Sequence, residues 1–563
     1  MWASHDQLLE VVYSLWFSHV YGTPVYIFCR RLKLLKGHLK ESNRLHFSHL
    51  LERVLRLEFE LEHHQSVLQQ DRDNQLLFAQ DRLLRSKLFT LKFAEKQFFS
   101  QKIKCNFLKS SDKGLKFFHA LMGQNHQRNF ISAIMCSHDS ISTSLKEVGD
   151  EFMAYYQQLL GTSKTTIPLD SPIIGCGLCL PSSSHGLFLL LSLVSHEDIR
   201  KAVFSIGNDK APGFDGYSFF FYKQAWSVVG GDLCAAVQDF FHYGRLLKQV
   251  NHSIIALVPK SVNVSSPFDF RPISCCNVIY NVIAKILAGC LAQALKDIDS
   301  PMQNAFLGGR FISDNINLVQ ELLRHYGRKR SSPRCLLKVD FKKAFNFVQW
   351  EFLENLLRHL DVLVKFFLLV MQCVSTISFS VAVNGDIHGF FLENNGVRQG
   401  DPLSPYLFIC CMDYFSRMLK LASQQEGFLF HPKCEVQGIN HLAFADDVLL
   451  LSHGDSSLVH CLLQQLTLFC QTSGLDINPQ KSSLFFGRVG NVQKQSILIA
   501  SGLKEGRFPF TYLEVPLSPH RPLASQFSPL LQDLKSLVQG WIGQHLTYAG
   551  HLELLRFVLF RKV

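Results

Sequence analysis

His441-Leu442-Ala443-Phe444-Ala445-Asp446-Asp447-Val448-Leu449-Leu450-Leu451 is an apolar run interrupted by two adjacent carboxylates. Neighbours on a strand point to opposite faces, so an Asp-Asp pair inside a buried strand would drive a charge into the core. A tight hairpin avoids this, with the aspartates at its turn and strands of Leu442 to Ala445 and Val448 to Leu451 on either side. Two carboxylates held that close repel unless cations lie between them, which makes the pair a candidate divalent-metal site. An arbitrary Asp-Asp is more often an acidic surface turn, so the surrounding chain decides.

Upstream, Leu336-Leu337-Lys338-Val339-Asp340-Phe341 reads as a buried strand that delivers Asp340 at its end. The next helix carries Trp350, Leu353, Leu356, Leu357 and Leu360 on one face. Ile377, Phe379, Val381 and Val383 alternate with smaller residues, and Asn384-Gly385 closes a hairpin. Gln399-Gly400-Asp401-Pro402-Leu403 then leads to Ser404-Pro405, read as an N-cap followed by Pro at the first helical position. That helix is expected to bury a stripe of Leu407, Phe408, Cys411, Met412, Phe415, Met418 and Leu419, and a further helix runs from Ser457 to Cys470. Nearer the start, Lys210-Ala211-Pro212-Gly213-Phe214-Asp215-Gly216 has turn chemistry. Ile254 to Val258 is a short strand ending in Pro259-Lys260, and Val278 to Leu295 is an apolar helix.

Composition bounds the rest. The chain has 563 residues, is 47% hydrophobic and carries a formal charge of +11, so it is globular and basic, with length for two to four domains. Sixteen cysteines form no disulfide-like framework. Only Cys176 and Cys179 make a CxxC, near His185, with no second pair at zinc-finger spacing. Reduced thiols favour a nuclear or cytoplasmic protein. The run Gly186 to Val194 is too short to span a bilayer, and the N-terminus lacks signal-peptide character, so no membrane partner is expected.

Residues 8–100 have helical spacing of Leu and Phe. From Asp81 to Phe130 there are eleven Lys/Arg against three Asp/Glu, interleaved with eight Phe. A basic stripe with aromatics suits a nucleic-acid backbone and its bases; a solvated basic face over a Phe core fits equally well. Residues 161–196 are dense in Gly, Ser, Thr and Pro and read as a linker.

Asp340, Asp446 and Asp447 together make a chemical set. Three carboxylates can hold two magnesium ions roughly 3.5–4 Å apart, the arrangement used for in-line phosphoryl transfer. Hard oxygen donors without His or Cys favour magnesium, with manganese as a substitute.

The chain resembles the reverse transcriptase of LINE-type (non-LTR) retrotransposons, especially those of plants. The resemblance runs in order through Lys210-Ala211-Pro212-Gly213, Arg271-Pro272-Ile273-Ser274, and Gln303-x-Ala305-Phe306-x-x-Gly309-Arg310. It continues through Asp340-x-x-Lys343-Ala344-Phe345, Gly396-x-Arg398-Gln399-Gly400-Asp401-Pro402-Leu403-Ser404-Pro405 and Phe444-Ala445-Asp446-Asp447. Ser473-Gly474-Leu475-x-x-Asn478-x-x-Lys481-Ser482 and Tyr512-Leu513-x-Val515-Pro516-Leu517 complete it. Gln101 to His119 and Trp541 to Leu559 resemble the segments that precede and follow the polymerase. One such block is weak; the ordered series over residues 208–517 is specific.

The resemblance implies an α+β right-hand polymerase with fingers, palm and thumb, preceded by a largely helical extension. Its expected parts are a basic extension (1–160), a linker (161–200), fingers and palm (201–504) and a truncated thumb-like segment (505–563). It implies that Lys260 and Arg271 contact the incoming triphosphate, and that Phe345 lies under the sugar. Gln399 and Gly400 come near the nascent base pair, Lys481 near the leaving phosphate, and the Tyr512 to Leu517 segment against the primer. Template RNA, primer DNA and dNTPs are the implied partners.

Asn346, Phe214, Asn281, Glu514 and His551 stand where the family usually has Asp, Pro, Lys, Gly and Arg; none is one of the three carboxylates. Glu514 matters most, because Gly there serves a positive φ or a close backbone approach. The expected upstream endonuclease is lacking, so the chain resembles a fragment or relic reading frame. Three functions stay open: an RNA-directed DNA polymerase, an inert relic with nucleic-acid affinity alone, and another palm polymerase. The Gln303 to Arg310 block favours the LINE type over maturase-type enzymes, and Phe345 argues against an RNA polymerase.

Overall fold

The computed structural model describes residues 8–47, 49–70, 74–103, 123, 128–136, 140–142, 144–169, 194–261, 263–296, 302–328, 331–359, 364–520, 523–542, 552 and 555–556. Cys176, Cys179, His185, Leu360, His551, Lys104, Lys109, Lys113 and Lys116 lie outside the described residues, as does most of Gln101 to His119 and of Trp541 to Leu559.

The chain divides into two compact units. One comprises Met1–Phe130, Val203–Ala236 and Leu531–Val563. Its helices include Leu8–Trp16, Pro24–Phe47, Leu50–Gln70 and Gln75–Ile103, as the three- and four-residue spacing of apolar side chains predicts. Pro24 opens its helix where a missing N–H costs nothing. Asn74 caps the last of these helices, its Oδ1 accepting from the N–H groups of Leu76 and Leu77. The Lys210–Gly216 segment is a turn, closed by Gly216 N–H to Gly213 O at 3.0 Å. Beyond it Tyr217 donates its hydroxyl to Leu32 O at 2.9 Å, tying the turn to the Pro24–Phe47 helix. Asp232 accepts from Trp16 Nε1 at 2.9 Å and pairs with Arg31.

The second unit, Ile131–Ala202 with Val237–Leu530, holds a five-stranded and a four-stranded sheet besides two short two-stranded ones. The five-stranded sheet runs Lys504–Glu505, Ser483–Gly487, Arg334–Asp340, Asp447–His453, His441–Phe444. Only the Ser483–Gly487 and Lys504–Glu505 pair is parallel. Its central strands are apolar on both faces, so both faces must be covered. On one side lie the Ile312–Leu323 helix and the Phe510–Tyr512/Val515–Leu517 hairpin, which share a core with Leu336, Leu449, Leu451 and Phe485. On the other, helices Ser404–Ser423 and Ser456–Ser473 meet through Phe415 and Phe469, stacked at 4.6 Å, and Phe469 also meets Phe341 edge-on.

The four-stranded sheet runs Phe270–Cys276, His252–Pro259, Ser378–Val383, Asp386–Leu392. Helix Leu145–Gly161 lays Val148, Phe152, Tyr156 and Leu160 on it, against Ile255, Phe270, Phe379, Val381 and Phe391. The segment after that helix is not free: Lys164 N–H donates to Gln349 Oε1 at 2.9 Å, and its ammonium lies 2.6 Å from Asp476. Residues 170–193, the body of the expected linker, lie outside the described residues.

The Val278–Lys296 helix is long and apolar enough to cross a membrane by length and composition, and its Val282, Ile283, Ala284, Leu287 and Leu291 are buried within the protein.

Three local expectations change. The stripe expected on Ser404–Ser423 is nearly a full circumference, because Ile409, Cys410, Asp413, Tyr414 and Ser416 are buried too. A helix buried all round is a core helix, and Asp413 is tolerated there by its 2.7 Å pair with Arg417. Ser404 is the first residue of that helix and Leu403 its cap, since Asp401 already accepts from Leu403 N–H. The third change concerns the aspartates themselves.

Candidate active site

The aspartate hairpin turns one residue earlier than its sequence suggests. Ala445 and Asp446 form the turn, while Asp447 begins the returning strand, opposite Phe444 on one side and Asp340 on the other. The physical reason is that Asp447, at the sheet's end, is only half-buried, so a strand position there costs less than one enclosed in the core. Ala445 takes a φ of +53°, which a non-glycine adopts only when its surroundings over-determine it. Gln303 does so: its Oε1 accepts from Ala445 N–H at 3.1 Å and from Ala305 N–H at 3.0 Å. Gln303 is 2% exposed, so these bonds are dry.

Asp340 is held from the far side. Asn478 donates its backbone N–H to Asp340 O at 2.8 Å and its side-chain amide to Asp340 Oδ1 at 3.2 Å. Ser482 Oγ accepts from Asp340 N–H at 3.1 Å. Gln303, Asn478 and Ser482 were visible as motif letters, but their role as braces needs the fold.

Burial raises the Asp447 carboxyl to about 6, with the charges of Asp446 and Asp340 adding to it and Lys338 and Lys481 opposing. Asp446 is raised as well, chiefly by burial, with Asp340 adding and Lys481 opposing. Asp446 and Asp447 therefore both sense the charges of Asp340 and Lys481. Among the described residues, no group of three or more His, Cys, Asp or Glu is placed so that it could hold a metal ion, the three aspartates included. The donor chemistry nevertheless fits a hard divalent cation, which would offset both the burial and the mutual repulsion that raise Asp446 and Asp447.

Lys260 and Arg271 sit at one end of the Phe270–Cys276/His252–Pro259 pair, where Val258 faces Arg271 and Lys260 N–H donates to Asp269 O. Both are exposed. Lys260 is held below the ordinary lysine value, first by burial and then by the charge of Lys481, with Arg271 adding a smaller push. That links Lys260 to Lys481, and Lys481 to Asp446 and Asp447.

The Gly396–Gly400 loop gathers the remaining expected residues. Gly396 N–H donates to Val348 O and Val397 N–H to Phe345 O, both at 2.7 Å. A Cβ on Gly396 would meet Asn346 O at 2.8 Å, and φ there is +87°, so the position requires glycine. Gln399 O accepts from Ser274 N–H at 2.9 Å, pinning Gln399 and Gly400 to the four-stranded sheet. Phe345 is half-buried, its ring stacked on Phe408 at 4.9 Å. The loop thus ties Phe345 to Gln399 and Gly400 through backbone bonds, a group distinct from the charged one.

The Phe510–Tyr512/Val515–Leu517 hairpin is joined to the five-stranded sheet. Lys338 donates to Thr511 O at 2.6 Å, and Asn315 donates to both Tyr512 Oη and Ala443 O. Its turn residues Leu513 and Glu514 have φ of +49° and +66°.

Residues 258–517 match the family described as reverse transcriptase (RNA-dependent DNA polymerase). The transposon TX1 uncharacterized 149 kDa protein of Xenopus laevis is 24% identical over 372 residues, 66% of this chain and 28% of that protein. The retrovirus-related Pol polyprotein from type-2 retrotransposable element R2DM of Drosophila melanogaster is 29% identical over 53% of this chain and 27% of its own. The corresponding type-1 element R2 polyprotein of Nasonia vitripennis is 26% identical over 48% and 25%. The matched stretch therefore spans about a quarter of each of these relatives.

Proposed function

From the premise that residues 258–517 are a reverse transcriptase domain of the non-LTR retrotransposon kind, we propose that this chain is an RNA-directed DNA polymerase extending a primer 3′-hydroxyl on an RNA template. The observation that carries the reading is the pairing of Asp340 with Asp447 across adjacent strands, with Asp446 in the turn beside them. The five-stranded sheet would be the palm, the four-stranded sheet the fingers, and the segment from 505 onward the beginning of a thumb.

Asp340, Asp446 and Asp447 would hold magnesium, or manganese in its place. The bound cations supply Lewis-acid stabilisation of the charge that develops on the attacking and leaving oxygens. The protein's own residues do the positioning. Lys260 and Arg271 meet the triphosphate of a dNTP, as ammonium and guanidinium groups suit phosphate. Lys481, whose charge reaches both Lys260 and the aspartates, stands near the leaving pyrophosphate. Phe345 offers a ring face under the sugar, where a 2′-hydroxyl would be crowded. Gln399 and Gly400 border the nascent base pair, and the Tyr512–Leu517 hairpin bears on the primer.

Primer extension on an RNA template with magnesium and dNTPs tests this. The parent chain extends the primer, whereas Asp446→Ala or Asp340→Ala reduces synthesis by at least about a hundredfold with template binding nearly intact. Activity within tenfold of the parent in either variant would mean that the wrong carboxylates are named. A parent that binds template without extending it would instead identify an inert relic.

A further inference from the structure

Lys343 lies in the Asp340-x-x-Lys343-Ala344-Phe345 block, three residues past a proposed metal ligand, and the reaction described above leaves it unused. Its backbone is left-handed, with φ of +44°, and its side chain reaches helix Leu145–Gly161. There its ammonium donates to Tyr155 Oη and lies 4.5 Å from the centre of that ring. It also lies 5.0 Å from the ring of Phe268, and Lys260 lies 4.3 Å from the same ring. One exposed phenyl ring thus carries two ammonium groups.

Among the described residues, neither lysine has a carboxylate within ion-pair distance. Lys343 is lowered to about 8, by burial first and then by the charge of Lys260. If Lys343 were only a packing staple, an apolar side chain would cover the same rings without bringing two like charges together. A desolvated cation beside a second cation is stabilised by an anion that both can reach. Lys260 already belongs to the cluster with Arg271 and Lys481. The ligand chemistry that satisfies all four is a chain of linked phosphates.

We infer that Lys343 is a phosphate-chain ligand of the nucleotide site, acting with Lys260 across Phe268, and that Tyr155 is its positioning residue. The inference rests on the polymerase reading for the identity of the nucleotide, but the anion site itself does not. It also gives helix Leu145–Gly161, which precedes every recognised polymerase block from Arg271 onward, a part in substrate binding.

Inorganic tripolyphosphate serves as the probe, titrated calorimetrically into the full chain without template or primer. Lys343→Met, which keeps the stem on the rings, weakens binding about tenfold, as expected when one charge-assisted hydrogen bond is removed. Lys343→Arg restores it to within about threefold, and Tyr155→Phe weakens it about threefold. In primer extension, Lys343→Met and Tyr155→Phe raise KM for dNTP with kcat little changed, a split that a general loss of folding would not produce. Parent-like tripolyphosphate affinity in Lys343→Met, with Lys260→Met weakened, overturns the inference. Should the parent extend no primer, the titration alone decides, so the polymerase reading can fail while the anion site stands. If extension proceeds with unchanged dNTP KM in Lys343→Met and Tyr155→Phe, the anion site is not the nucleotide's and the inference fails.

Discussion

Glu393 is 3% exposed, and its Oε2 has no hydrogen-bond partner among the described residues. Burial pushes its carboxyl up to about 8, against the opposing pull of Arg398 and with Asp401 adding to the rise. Arg398 is the hub of this region. Its guanidinium lies 3.8 Å over the Tyr280 ring, donates to Ser253 Oγ at 2.8 Å and to Cys373 O at 3.2 Å, and bonds Asn251. Tyr280 in turn donates to Asp401 at 2.6 Å. This buried set includes Arg398 and Asp401, which flank Gln399 and Gly400 in the chain, and it anchors the loop that carries them. Because the folded value of Glu393 stands above the ordinary 4.5, the folded protein holds a proton that the unfolded chain has released. That stabilisation is fully present below about pH 4.5 and disappears as pH rises toward 8. Glu393→Gln keeps the shape and removes the titration. Urea midpoints at pH 5 and pH 9 should therefore diverge, with the variant gaining up to a few kcal/mol on its parent at the higher pH. Equal pH dependence in the two proteins would show that Glu393 is ionised when folded.

At the scale of elements, the Phe510–Tyr512/Val515–Leu517 hairpin carries strain at its two turn residues. Leu513 and Glu514 both occupy the left-handed region, at a cost of roughly 1–2 kcal/mol for a residue with a Cβ. Glu514 is exposed, so its side chain recovers little by packing. The hairpin persists because Tyr512 is buried against Asn315 and Lys338 holds Thr511. Glu514→Gly should raise stability by about 1 kcal/mol, less the entropy that glycine adds to the unfolded chain. Thermal unfolding checks this; a lowered midpoint would mean that Glu514 makes a compensating contact. The Gly396 loop is the complementary case, where glycine is present and the backbone of Asn346 leaves room for nothing larger.

For the whole molecule, charge is the dominant asymmetry. The Asp81–Phe130 stretch holds eleven cations against three anions in a chain of net charge +11. Most of its described part lies in the helix Gln75–Ile103, on which Arg82, Lys87, Phe89 and Phe93 are exposed while Asp81 and Glu95 are buried. Exposed aromatics between exposed cations favour a nucleic-acid face over a Phe core for this part, since Phe89 is 75% and Phe93 53% exposed. Arg82→Gln with Lys87→Gln should weaken RNA binding and flatten its log–log salt slope by about 0.7 for each phosphate no longer neutralised. An unchanged slope would return the helix to a solvated surface.

The placement of the carboxylates in the fold was largely legible in the residues alone. Asp340 at the end of an apolar strand and the Asp446-Asp447 interruption announce carboxylates at a sheet margin, because period-two alternation leaves a charge nowhere else to go. The hairpin at Asn384-Gly385 and the helices after Asp340 and Leu403 follow from local periodicity and turn chemistry in the same way. Local rules do not reach across the chain. They could not tell that Ala445, rather than Asp447, bears the turn, because the bond that holds it comes from Gln303, 142 residues earlier. Nor could they show that Asn478 and Ser482 brace Asp340, or that Tyr155 meets Lys343 across 188 residues. Those contacts exist only once the apolar faces of both sheets are covered, and burial then sets the charges of the groups beside them.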